Sequence, residues 1–278
     1  MTKAHKGGFK DSELDYIVYA LLKQTLDKSK IDPAVIEDVC LGNVRQEYIL
    51  QRLYLRRSRL KQLQVGEGKA AYMVRAAALA AGIPHTSGAS TVNRFCSSGL
   101  KAVQDIANQI QLGAIDVGIA LGAELMSAAG DQPPKPLNKE IMQNQEAADC
   151  MQPMGQTSEN VAKDFGISRE QQDRFAAESF RRAEAAQKAG WFDDEIVPIS
   201  VNVKDPKTGE VKQVILTKDD GIRPGTTYES LAKIRPAFPQ FGDKSTGGNS
   251  SQVTDGGTFL QVYFSNHSAN HLQPLRFS

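Results

Sequence analysis

Cysteine is scarce in this chain: Cys40, Cys96 and Cys150 are the only three in 278 residues. An odd count at irregular spacing argues against a disulfide-stapled scaffold or a zinc site, and for a reducing compartment. Neither sign of charge dominates. Lys and Arg number 33 against 32 Asp and Glu, a formal net charge of +1, so no strong field favours nucleic acid or a charged membrane surface. No apolar run approaches the roughly 20 residues of a membrane-spanning helix. The opening Met1-Thr-Lys-Ala-His-Lys-Gly-Gly8 holds no apolar signal core, and the closing Leu275-Arg-Phe-Ser278 is not a Ser-Lys-Leu address. The length is enough for one or two domains with a sizeable core.

What is present is an alternation of helical and strand patterns. Leu14 to Leu26 is amphipathic, with Tyr16 or Ile17, Tyr19 or Ala20, and Leu21 or Leu22 toward a core. Ile31 to Val35 starts a helical turn. Asp38 to Val44 reads as a buried strand with Cys40 packed in its middle. Lys69 to Ala81 is Ala-rich and helical, stopped by Gly82 and Pro84. Ala89 to Val92 is β-like. After it, Leu100, Val103, Ile106, Ala107 and Ile110 recur at helical spacing, Lys101 and Asp105 share the polar side, and Gly113 ends the pattern. Asp116 to Ala123 is a strand whose glycines allow backbone to pack on backbone. Such alternation is the mark of an α/β layer architecture.

From Glu124 the composition changes. Gly130 to Pro136 is a loop, and Gln152 to Asn160 leads into a short helix through Phe165. Ser168 and Gln171 form a capping-box pattern opening a helix to about Lys188, closed by Gly190. Glu195 to Lys204 and Val211 to Thr217 alternate like strands around a turn at Asp205 to Glu210. Asp219 to Pro239 reads as irregular, and Thr258 to Phe264 as a last strand. Glu47 to Gly68 mixes Arg52, Arg56, Arg57 and Arg59 with Leu50, Leu53, Leu55 and Leu60. It reads as a solvated helix or disordered insert rather than a membrane-surface or partner helix. His267 and His271 have helical metal-ligand spacing, but no third ligand accompanies them. No metal site is expected, and these residues read as a loose tail.

Cys96 falls where the β-like run hands over to the helix. The helix dipole and free amides at such a junction favour thiolate over thiol, and Ser97, Ser98 and Gly99 are small enough for a ligand to reach the sulfur. The reading is a nucleophile; the alternative is a buried, inert cysteine. Glu124 and Glu159 could be taken for an acid/base pair, but nothing in their spacing singles them out.

Asn93-Arg94-Phe95-Cys96-Ser97-Ser98-Gly99-Leu100 resembles the nucleophile segment of thiolases. The resemblance, interrupted at 47–68, runs from about Lys6 to Gly257 and points to the N-terminal half of the peroxisomal-type 3-ketoacyl-CoA branch (acetyl-CoA C-acyltransferases). It implies a layered αβα fold with an inserted loop domain. Residues 1–123 and 245–264 would form the α/β domain, 47–68 an atypical basic insert, 124–244 a loop domain covering the CoA and acyl site, and 265–278 an unstructured tail. Cys96 would take the acyl group of a 3-ketoacyl-CoA as a thioester in fatty-acid β-oxidation, with CoA as a substrate and no metal or organic cofactor. Residue by residue, Met154 matches a methionine lining the acyl pocket. Arg223 matches an arginine at the adenine end of the CoA site, Ser230 a hydroxyl contacting CoA nearby, and Ser251 a serine bonding the pantetheine arm. Pro153 stands where some members carry His.

The family draws its base His, acid/base Cys and positioning Asn from a second half that nothing here matches, His5 and His85 included. Its first strand also lacks a counterpart. The resemblance therefore leads us to expect a chain clipped at both ends, with 47–68 an insertion or translated non-coding sequence. It leaves a second functional reading: an inactive truncated thiolase or pseudoenzyme that only binds CoA or pairs with a full-length subunit. The implied partners are acyl-CoA and CoA, and a homodimer or mixed dimer through the sheet edge at Ser90 to Asn93. The implied location is the peroxisome, with mitochondrion or cytoplasm as alternatives.

Overall fold

The computed structural model describes residues 1–45, 69–128 and 137–263. The basic stretch 47–68, the loop 130–136 and the tail with His267 and His271 lie outside the described residues. In chain order the elements are β1 (Thr2–Lys3), α1 (Leu14–Ser29), β2 (Asp38–Gly42), α2 (Lys69–Ala80), β3 (Gly88–Val92), α3 (Ser98–Gln111), β4 (Val117–Leu125), α4 (Lys139–Met142), α5 (Gln145–Asp149), α6 (Met154–Asp164), α7 (Arg169–Lys188), β5 (Ile199–Lys204), β6 (Val211–Leu216), α8 (Tyr228–Ala232) and β7 (Thr254–Tyr263). They fall into two units. The first holds Met1–Gly130, Asp193–Asp220 and Val253–Ser278; the second holds Asp131–Phe192 and Gly221–Gln252.

The first unit is built on a five-stranded sheet in the order β1-β7-β4-β2-β3. β2 runs parallel to β3 and β4, while β7 is antiparallel to β4 and β1 antiparallel to β7. Parallel neighbours need crossovers, which is why helices alternate with these strands. Side chains alternate across the sheet. Val39, Leu41, Ile119 and Leu121 join Ile17, Leu21 and Leu22 of α1 and Val74 and Ala78 of α2 on one face. Cys40 and Ala120 join Ala102, Ile106 and Ile110 of α3 on the other. The result is an αβα layering with apolar residues on both faces of the sheet, as expected for parallel strands.

Several local expectations meet their elements here, and some shift. In α1 the inward choices are Ile17, Leu21 and Leu22, with Tyr16 exposed. On α3 the buried stripe is Ser98, Ala102, Ile106 and Ile110, one residue every four, whereas Leu100 is 72% exposed despite its place in the apolar recurrence. The sequence reading put no strand before α1, yet Thr2 and Lys3 pair with Asp255 and Thr254. The β5–β6 hairpin belongs with this unit although the sequence reading counted it within 124–244. Val197, Ile199 and Val201 sit in the core cluster of α1, and the Tyr16 hydroxyl donates to the Ser200 carbonyl at 2.8 Å.

The second unit is helical. Its longest helix, α7, starts with the expected reciprocal capping box between Ser168 and Gln171, and Gly190, at φ 75°, follows its end. Residues 244–249 are tied to α6 and α7 by buried polar groups. The Glu159 carboxylate accepts the Lys244 amide at 3.0 Å. Asp173, fully buried, pairs with Arg169 Nε at 2.7 Å and accepts Asn249 Nδ2 at 2.9 Å. Three short helices escaped the sequence reading. α4 and α5 are capped by Asn138 and Asn144, and α8 by Thr227, so the caps were the available signal.

Candidate active site

The parallel strands β2, β3 and β4 end on the same edge of the sheet, the edge where open α/β sheets bind ligands. Cys96 lies on this edge, four residues beyond the end of β3 and two before α3. A tight turn carries the chain from one to the other. Asn93 Oδ1 accepts the Phe95 amide at 3.0 Å, and the Arg94 amide donates to Ser98 Oγ at 2.8 Å. The Ser98 hydroxyl donates back to the Phe95 carbonyl at 2.6 Å, and the Ser97 hydroxyl to the Arg94 carbonyl at 2.9 Å. Within this net Phe95 adopts φ 49°, the left-handed region that side-chain-bearing residues seldom enter.

Small residues bring the helix start down onto the sheet. A Cβ on Gly42 would sit 2.3 Å from the Ser98 carbonyl carbon, and one on Gly122 would sit 3.2 Å from Gly99 Cα. Ser98 is buried. Part of the small-residue run after Cys96 thus serves close packing, beyond the ligand access read from the sequence. Cys96 itself is exposed, as is Cys150, while Cys40 is buried. Burial pushes the Cys40 thiol up, partly offset by a hydrogen bond with Ser90, which suits a packing residue.

Next to this turn, β4 ends near Glu124. One carboxylate oxygen accepts the Val44 amide at 2.9 Å, and the other accepts the Arg45 amide and Asn43 Nδ2, each at 3.3 Å. Asn43 Nδ2 also reaches the Ala123 carbonyl at 2.8 Å, and Asn93 Nδ2 donates to the Val44 carbonyl at 3.3 Å. Burial pushes the Glu124 carboxyl up, against the lowering pull of the Val44 and Arg45 amides and Asn43. Sequence reasoning left Glu124 without a role; its partners lie about 80 positions away.

The other expected site residues lie in the second unit. Met154, 71% exposed, opens α6 after Pro153 and borders an apolar hollow of about 340 Å³ with Thr157, Val161, Ala162 and Ile167. Arg223 is exposed, and its carbonyl accepts the Thr226 hydroxyl at 2.8 Å. Ser230 lies close by in sequence, at the third position of α8. Its hydroxyl accepts the Thr227 amide at 3.1 Å and donates to the Thr227 carbonyl at 2.7 Å. Ser251 is exposed. Among the described residues no three His, Cys, Asp or Glu side chains are grouped as metal ligands, and no helix is long and apolar enough to cross a membrane.

Comparison with known proteins places this arrangement. A family described as Thiolase, N-terminal domain, matches residues 59–263. The peroxisomal 3-ketoacyl-CoA thiolase of Yarrowia lipolytica is 45% identical over 256 residues, 92% of this chain and 56% of that protein. The dimeric peroxisomal thiolase of Saccharomyces cerevisiae superimposes with a TM-score of 0.77 at 40% identity, over 94% of this chain and 61% of that one. Human mitochondrial 3-ketoacyl-CoA thiolase in complex with CoA gives 0.70 at 27% identity, over 94% and 66%. The chain spans little more than half the length of the curated relatives it matches. With a family match across most of its length and a thiolase fold, the chain belongs to the thiolase family, in that family's N-terminal domain.

Proposed function

We propose that Cys96 is the acyl-accepting nucleophile of a 3-ketoacyl-CoA thiolase. The observation that carries this reading is an exposed cysteine, set by a strained turn between β3 and α3, inside a thiolase N-terminal domain. The Cys96 thiolate attacks the 3-keto carbon, and the bond between C2 and C3 breaks. Its electron pair leaves as the acetyl-CoA enolate, which takes a proton. The thiolate of a second CoA then attacks the Cys96 thioester, releasing the shortened acyl-CoA and restoring the cysteine. By resemblance the base and the enolate's acid belong to the family's second half, and no residue described here is assigned either role.

CoA is a substrate in this reading, held by Arg223, Ser230 and Ser251, with Met154 along the acyl group. Ser230 already gives its proton to the Thr227 carbonyl, so it would meet CoA as an acceptor. Relatives named peroxisomal support β-oxidation in the peroxisome, and a dimeric relative supports self-association.

The test is to incubate the purified chain with acetoacetyl-CoA and CoA, and to follow acetyl-CoA release and acetylation of the Cys96 peptide by mass spectrometry. Label on Cys96, lost in Cys96→Ala, is the expected result; sustained turnover would also call on the base and acid that the resemblance assigns to the family's second half. A soluble, folded chain that shows neither would sink the reading and leave a CoA-binding or subunit-pairing protein in its place.

A further inference from the structure

We infer that Glu124 is a positioning residue for Cys96, acting through Val44 and Asn93 on the turn that precedes the sulfur. The inference deepens the reading of Cys96 as nucleophile and rests on it.

Phe95 is a left-handed, side-chain-bearing residue immediately before Cys96. Such a conformation is strained and persists only where surrounding contacts over-determine it. One of those contacts is the 3.0 Å bond from the Phe95 amide to Asn93 Oδ1. Asn93 can present that oxygen only while its amide is oriented, and the bond that orients it runs from Nδ2 to the Val44 carbonyl.

Val44 is held at its other end, where its amide donates to Glu124. Glu124 also gathers the Arg45 amide and the Asn43 side chain, while the Asn43 amide donates to the Val92 carbonyl at 3.1 Å. Among the described residues both carboxylate oxygens face donors only, so a side-chain amide at this position would point its own N–H₂ at one of them. The carboxylate is kept at this half-buried place despite the burial that disfavours its charge, which points to a task at the strand ends. The connected groups all belong to the first unit, and the path ends one residue from the sulfur.

The three cysteines make the test independent of any enzyme assay. Native chain is alkylated with iodoacetamide, and the rates at Cys96, exposed Cys150 and buried Cys40 are read by mass spectrometry. Cys150 serves as the reference and Cys40 as the sensor of unfolding. Glu124→Gln and Asn93→Ala should each lower the Cys96-to-Cys150 ratio several-fold while Cys40 stays unlabelled. The double variant should fall no further than Asn93→Ala alone, because both cut one path.

A ratio unchanged in either folded single variant would overturn the inference, as would falls that multiply in the double variant. A merely structural Glu124 would lower the melting temperature and expose Cys40 without moving the ratio. If Glu124→Gln does not fold, the exposed Asn93 still decides: an unchanged ratio in Asn93→Ala is fatal to the idea. An unmoved ratio alongside normal acetyl capture sinks positioning alone. Absent acetyl capture in the unsubstituted chain sinks the nucleophile reading whatever the ratio does.

Discussion

Four carboxylates withdrawn from solvent do separate jobs in this chain. Glu159 and Asp173 staple residues 244–249 to α6 and α7. Asp255 accepts the Ser127 amide at 2.7 Å and fixes the chain beyond β4 to β7. Glu124 gathers the end of β2, and its carboxyl is raised from 4.5 by burial. The sign of the linked stability follows. Between 4.5 and its raised native value, the folded chain keeps a proton that the unfolded chain has released, so stability falls as pH rises through that window. Urea midpoints of the parent chain and Glu124→Gln, compared from just below pH 4.5 upward, should show the parent losing ground with rising pH. A parent that gained on the variant over that range would mean the native carboxyl is lowered, not raised.

The start of α3 packs closely on the sheet. Its first turn rests on β2 and β4 where Gly42 and Gly122 leave no side chain in the way. Adding a methyl at Gly42 forces the Ser98 backbone to move, because the contact is with main chain rather than a flexible side-chain end. Gly42→Ala should therefore cost about 1–3 kcal/mol, the usual penalty for overpacking, and should disturb Cys96 because the displaced residue is two positions away. Equilibrium unfolding checks the first effect and alkylation of Cys96 the second; a variant matching the parent in both would show that the helix start can slide freely. By contrast α8, five residues long, depends on its capping box of Thr227 and Ser230, since helices this short are marginal without tertiary or capping support.

Among the described residues the sheet has no strand beyond β3, the last in its order. The Gly88 amide donates to the Glu37 carbonyl, and the Val92 carbonyl accepts the Asn43 amide, so the even-numbered residues of β3 bond to β2. The amides of Ala89 and Thr91 consequently point away from β2. Thr91→Pro removes an outward donor while sparing the ladder to β2, the one setting in which a strand tolerates proline. If the proposed dimer forms through this edge, sedimentation velocity should find the parent chain dimeric and Thr91→Pro monomeric, with similar circular dichroism. A dimer that survives the substitution would place self-association elsewhere.

Most elements were legible because their signals are local. The apolar spacing of α1, the caps of α7, and the turn at Asp205 to Glu210, where the Asp205 amide meets the Glu210 carbonyl at 2.8 Å, all lie within a few residues of what they organise. Cys96 was legible for the same reason: its seat is a strand, a turn and a helix start in a row. The exposure of Leu100, the placing of the β5–β6 hairpin with α1, and the tasks of Glu124 and Asp173 were not. Each depends on partners dozens of positions away, chosen only when the chain closes on itself. Residue spacing alone thus decided most of the helices and strands and the seat of Cys96 between β3 and α3. Folding decided which sides of those segments are buried and which carboxylate anchors the turn beside the sulfur, because burial and hydrogen-bond pairing are properties of neighbours in space.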